Sequence, residues 1–186
     1  MNKNLTNSYS DRQAILNNSY LIQKIEEHFN FNECFWYDRL IYKDASVITK
    51  QQLSRFFDVS KITIKKYLLT QSEEIKINGY KVLTGTTLQD FILKYAAKIP
   101  DFNICNNYSA RTKSSIDVLE VFTFKACINI AMLLSESERA KFIRSQILDI
   151  AIELAAEHEG GRVKYINRQI KYIFPASSRT FYTCSK

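Results

Sequence analysis

The chain has 186 residues, 46% of them hydrophobic, and carries 26 Lys and Arg against 19 Asp and Glu, a formal net charge of +7. That is enough apolar material for one large core or two small ones. No run approaches the ~20 apolar residues of a membrane helix, and no apolar segment follows Met1, which excludes a spanning or signal-led chain and predicts a cytoplasmic one. Cys34, Cys105, Cys127 and Cys184 are scattered and neither His28 nor His158 stands at ligand spacing to them, so no metal site, redox motif or cofactor is expected.

Taken in chain order, Ile15, Leu16, Tyr20, Ile22, Ile25 and Phe29 recur at helical spacing and predict one amphipathic helix from Asp11 to about Asn30. Phe31, Phe35, Trp36 and Tyr37 then form a short aromatic segment suited to packing that helix onto the domain C-terminal to it. Leu40-Ile41-Tyr42 reads as a short strand. Together, 1–46 make an N-terminal helical and aromatic segment.

Residues 49–69 read as a helix-turn-helix. The first helix runs from Lys50 to Phe57 and buries Leu53 and Phe56. Asp58-Val59-Ser60 forms the turn, with Val59 in the angle between the helices and Ser60 as N-cap of the second. That second helix buries Ile64, Tyr67 and Leu68 and turns Lys61, Ile62, Lys65, Lys66 and Leu69 outward. The motif usually has glycine and alanine where Asp58 and Ser54 stand. Asp tolerates the left-handed backbone, and Ser is nearly as small as Ala. One buried stripe with lysines opposite it suits a polyanionic groove. The plainer alternative is a helical hairpin with a solvated lysine face.

After Gln71 the periodicity changes to two. Residues 74–77 and 80–83 flank Asn78-Gly79, a strong β-hairpin signal. Gly85 closes the hairpin, and Thr86-Thr87 cap a helix from Leu88 to about Lys98, stopped by Pro100. Between Ile48 and Lys98 nine basic residues face four acids. Residues 47–99 are therefore expected to form a winged helix-turn-helix that binds double-stranded DNA. Lys61, Ile62, Lys65 and Lys66 would enter the groove, with Ser60 also among the DNA-binding residues; Thr49 and Lys50 would meet backbone at the first helix's N-terminus, and Lys76 and Lys81 would reach phosphate from the wing.

Residues 100–115 are polar and read as a connection to a helical domain at 116–161. Ile116 to Phe124 fits strand or helix. Lys125 to Leu134 reads as a buried helix around Cys127, Ile128, Ala131 and Met132. Ser135 then caps a long helix, with Glu138 completing a capping box, and Gly160-Gly161 ends it near Glu159. The tail at 162–186 has six basic residues (Arg162, Lys164, Arg168, Lys171, Arg179, Lys186) and no acid. It would add DNA backbone contacts, or be the truncated stub of a longer chain.

The order of a helix-turn-helix, an apolar segment and then Leu-Leu-Ser-Glu-Ser-Glu-Arg-Ala-Lys-Phe-Ile-Arg resembles the RhuM-like DNA-binding proteins of bacteria. It is similar, more distantly, to phage antirepressor N-terminal domains. The residues that carry this are Arg139, Ala140, Phe142 and Arg144 behind Leu53, Val59 and Ser60, over about 47–160. The resemblance implies a regulator or antitoxin-like role, with a Fic-type toxin as a protein partner and Arg139 and Arg144 as partner or backbone contacts. The alternative for these arginines is solvation of a structural helix.

No catalytic constellation is present: there is no His-x-x-x-His, no Gly-x-Ser-x-Gly and no glycine-rich phosphate loop. Asp149 and Glu153 stand i, i+4, a spacing found in carboxylate metal sites and far more often in surface pairs. The expectation is thus a mainly α (α+β), non-enzymatic fold, a winged helix-turn-helix with a β-hairpin and a helical C-terminal region. Its function is sequence-specific DNA binding as a transcriptional regulator or antitoxin-like autoregulator, with a homodimer as a candidate assembly. The competing reading is a toxin-neutralising interaction module with little or no DNA binding.

Overall fold

A computed structural model describes residues 8–29, 40–95 and 117–158. The aromatic segment at 31–37, the connection at 100–115, the tail at 162–186 and the side chain of His158 lie outside the described residues. The fold is mostly helical with one small antiparallel sheet, an α+β arrangement.

Two helices, α1 (Tyr9–Asn17) and α2 (Ser19–Phe29), stand where periodicity predicts one. Asn18 divides them. Its backbone is extended (φ −80°, ψ 96°), and its Oδ1 accepts the Leu21 amide at 3.0 Å, so it starts α2 as a side-chain cap instead of continuing α1. A hairpin comes next, β1 (Leu40–Tyr42) against β2 (Ala45–Thr49). Its two-residue loop is Lys43-Asp44, with φ of 47° and 64°, the doubly left-handed turn that matches strand twist.

The chain continues through α3 (Lys50–Phe57), α4 (Lys61–Thr70), α5 (Ser72–Ile77), β3 (Tyr80–Thr84) and α6 (Gly85–Tyr95). It then gives β4 (Val118–Thr123), α7 (Phe124–Leu133) and α8 (Glu138–His158). The sheet order is β1-β2-β4-β3, antiparallel throughout. Of the two forms open to the apolar segment before α7, the chain thus takes strand. It pairs Thr49 with Val121 on one side and Tyr80 with Phe122 on the other.

Alternation along the strands separates two cores. Leu40, Val47, Leu83, Leu119 and Val121 face Leu88, Phe91 and Tyr95 of α6. Ile48, Tyr80 and Phe122 face the other way, into a larger interior with Leu16, Ile25, Leu53, Phe57, Ile64, Ile75 and Cys127. Residues from 1–46, 47–99 and 116–161 share that interior.

The hairpin expected around Asn78-Gly79 does not form. Residues Ser72–Ile77 are helical, and only Tyr80–Thr84 is a strand, paired with β4. A doubly left-handed turn needs positive φ at both central residues, and Asn78 has φ −88° while Gly79 has +107°. Helix wins at 72–77 for three reasons, two local and one from a distant segment. Glu73 and Glu74 sit in its first turn, where carboxylates favour the dipole. The Asn78 side chain caps it by donating to the Glu74 carbonyl at 2.8 Å. Glu74 itself is buried and takes two bonds from Arg12 of α1, at 2.7 and 2.6 Å. A planar guanidinium matching a carboxylate in this way offsets the cost of burying both charges.

A second correction concerns α8. Its cap is Ser137, whose Oγ accepts the Ala140 amide at 3.1 Å, and not Ser135. The helix on β3 also begins earlier than its threonine pair suggests, at Gly85.

Gly79 is required on two counts. A Cβ there would lie 2.1 Å from Thr123 Oγ1 and 2.9 Å from its Cγ2, on top of the positive φ. Gly85 shares the positive φ but has open space around it. Gly79→Ala is expected to cost about 2–3 kcal/mol in urea denaturation, and Gly85→Ala about 1 kcal/mol. Equal losses at the two positions would show that the Thr123 contact is not felt.

Candidate nucleic-acid interface

The α3–α4 pair is built from local signals. Thr49 caps α3 through a reciprocal box: its Oγ1 accepts the Gln52 amide at 3.2 Å, and Gln52 Oε1 accepts the Thr49 amide at 2.8 Å. At the other end Asp58 is left-handed (φ 52°, ψ 47°). The amides of Asp58 and Val59 return to the carbonyls of Arg55 and Ser54 at 3.2 and 3.0 Å, the paired closure that usually recruits glycine. Ser60 caps α4 by accepting the Thr63 amide at 3.0 Å.

Leu53 and Phe57 of α3 and Ile64 and Leu68 of α4 are buried, each contributing about 2 kcal/mol. Phe57, not Phe56, points fully inward, and Tyr67 is half-buried. The opposite face of α4 presents Lys61, Ile62, Lys65, Lys66 and Leu69, all exposed.

A helix end leaves its last four carbonyls without intrahelical partners. In α3 all four are satisfied. Ser54 and Arg55 receive the turn amides, Arg139 Nη1 donates to Phe56 at 2.6 Å and to Arg55 at 3.4 Å, and Ser137 Oγ donates to Phe57 at 2.6 Å. The Arg139 guanidinium also lies 5.8 Å from the Phe56 ring centroid. Arg144 does the same for α7, its Nη1 2.6 Å from the Ala131 carbonyl and bonded to that of Leu134 as well. Burial lowers the pKa of Arg144, opposed by Tyr67 and Glu138.

The expected DNA-contacting residues therefore divide. Lys65 and Lys66 stand on the open face, with no ion pair to either among the described residues. Lys61 is exposed, with its Nζ 3.0 Å from Gln51 Oε1. Ser60 is exposed with its hydroxyl engaged in the cap. Thr49 is buried in the capping box, so it offers nothing to a duplex. Lys50 is ion-paired with Glu120 of β4, and Tyr80 donates its hydroxyl to the same carboxylate at 2.9 Å. Burial, reinforced by Glu120, raises the Tyr80 pKa well above its ordinary value. Lys76 pairs with Glu73 on α5 at 2.9 Å, and Lys81 is exposed on edge strand β3. Neither is at a hairpin tip. Arg139, which is exposed, and Arg144, which is half-buried, both donate to backbone carbonyls and so have a structural role in the fold.

Comparison with protein-family models, with curated proteins and with solved structures gives no match. The likeness to RhuM-like proteins rests on the residues quoted for it, and both of its arginines have work inside the fold. Among the described residues no cluster of three or more His, Cys, Asp or Glu could hold a metal ion, and no helix is long and apolar enough to cross a membrane. Cys127 is fully enclosed, and burial raises its thiol pKa. Asp149, of the i, i+4 carboxylate pair, is raised by desolvation and held back by His28.

Structural and open cations should separate in denaturation experiments. Arg144→Ala orphans two helix-end carbonyls and should cost about 1–3 kcal/mol. Lys65→Ala and Lys66→Ala should each stay within about 0.5 kcal/mol of the parent. A large loss for either lysine would show that it holds the fold.

Proposed function

We propose that this chain is a sequence-specific double-stranded DNA-binding protein, a transcriptional regulator or antitoxin-like autoregulator, in which α3 and α4 act as a helix-turn-helix and α4 enters the major groove. The observation that carries this is the outward face of α4. Lys65 and Lys66 project from a capped helix with exposed Lys61 beside them, and no acid occurs between Val59 and Ser72. Lysines gathered on one helix face attract phosphate and release its counterions. The helix is also supported from behind, by Ile64 and Leu68 in the core and by the closed α3–α4 turn.

The strand order supports the winged form of the motif. In that form the strand before the first helix and the two strands after the second make one antiparallel sheet. Here β2, β4 and β3 do so. The wing would be the β3–β4 pair, joined through α6 and the chain up to Asp117 instead of by a tight loop, with exposed Lys81 on its edge strand.

The test is fluorescence anisotropy on duplex DNA drawn from upstream of the protein's own coding sequence, against scrambled duplex, across a salt series. Affinity should fall linearly with salt on logarithmic axes. Lys65→Ala/Lys66→Ala should weaken binding and make the slope less negative by about 2, one for each lost phosphate contact. A folded wild type that binds neither duplex at low salt would overturn the reading in favour of a protein partner.

A further inference from the structure

We infer that Ile62 reads the 5-methyl group of thymine, so that the duplex this protein selects carries a thymine under the first turn of α4. The inference rests on the DNA-binding reading above and specifies what that face recognises. Ile62 is 79% exposed and Leu69 73%, and among the exposed large apolar side chains of the described residues only Leu93 exceeds them. A single exposed isoleucine needs no explanation. Two such side chains on one ten-residue helix, at i and i+7 of the same outward stripe with Lys65 and Lys66 between them, form a pattern.

The chemistry of that stripe narrows what it can read. From Val59 to Thr70 there is no Arg, Asn, Gln, Asp or Glu, so the side chains that pair with adenine or accept from cytosine are missing. The hydroxyls of Ser60 and Thr63 are engaged with each other in the cap, and that of Thr70 with the Lys66 carbonyl, so lysine and apolar contact remain. In the major groove the one apolar group a base offers is the thymine methyl. Ile62 is the second residue of α4, in the N-terminal turn that reaches base edges when such a helix docks. Its neighbour Lys61 is drawn back toward Gln51 of α3. The lysines give the face its preference for a polyanion over an apolar protein surface, and Ile62 gives it a base to prefer.

The experiment begins with selection from a pool of randomised duplexes by the full chain. In the enriched duplex each thymine is then replaced in turn by 2′-deoxyuridine, which removes the methyl group and leaves base pairing intact. One replacement per bound α4 should weaken wild-type binding roughly fourfold, the worth of one buried carbon. Ile62→Ala should lose a similar factor on the thymine duplex and be indifferent to the same replacement. Its fold should be unaffected, because the site is exposed and alanine favours helix. A flat scan with salt-sensitive, selective binding, or a drop that Ile62→Ala retains, overturns the inference and leaves the DNA-binding reading standing. Absence of salt-sensitive binding overturns both.

Discussion

The sheet depends on one strand arriving late in the chain. β4 lies between β2 and β3 and pairs with both, so without it β3 has no partner and the β1–β2 hairpin has no sheet to join. An isolated two-stranded hairpin is marginal in water. β4 also carries the side chains that define both interiors, with Leu119 and Val121 on one face and Phe122 on the other. Thr123 at its end has three attachments. Its amide reaches the Gly79 carbonyl at 3.3 Å, its hydroxyl donates to the Asn78 carbonyl at 3.1 Å, and that oxygen accepts the first-turn amide of α7 at 3.4 Å. The register of the sheet, the turn before β3 and the start of α7 are set together at this residue.

Around that frame, long polar side chains tie distant segments through backbone carbonyls and buried charge. Arg139 and Ser137 close the end of α3, Arg144 closes α7, and Arg12 joins α1 to Glu74 of α5. Lys50 joins α3 to Glu120 of the central strand. The positive charge of the chain therefore has two uses. Part is consumed by orphaned carbonyls and buried carboxylates, and another part gathers on the outer face of α4. A net charge read from composition cannot distinguish them.

Much of the α3–α4 unit was legible from residue type and spacing because its determinants are local. A helix from Lys50 to Phe57, a left-handed Asp58 and a Ser60 cap follow from capping chemistry and apolar periodicity, and each is present. The outward placement of Lys61, Ile62, Lys65, Lys66 and Leu69 follows from the same period. The hairpin failed because Asn-Gly between apolar alternations is also compatible with a short helix, and a residue 62 positions earlier, Arg12, decides the case by pairing with Glu74. The helix N-terminus at Thr49 and Lys50 was legible as a local feature, but its surroundings were not: β4 pairs with Thr49, which is buried, and draws partly exposed Lys50 onto Glu120. Arg139 and Arg144 gave no sequence signal of their targets, which lie on other helices or an earlier turn. Asn18 could have been read as a break, since a side-chain amide followed by serine favours a cap over a helix interior.

The late arrival of β4 has a consequence for how the molecule comes into being. Thr49 meets Val121, 72 residues further on. At ~5–20 residues per second of synthesis, roughly 4–14 s separate the two emerging from the ribosome. During that interval α3 and α4, of 8 and 10 residues, are too short to persist as free helices, and the turn between them lacks Ser137 and Arg139. The lysine face is thus not a surface the nascent chain can display. It comes into existence only once the C-terminal helices have been made, so an unfinished polypeptide carries the charges but not their arrangement.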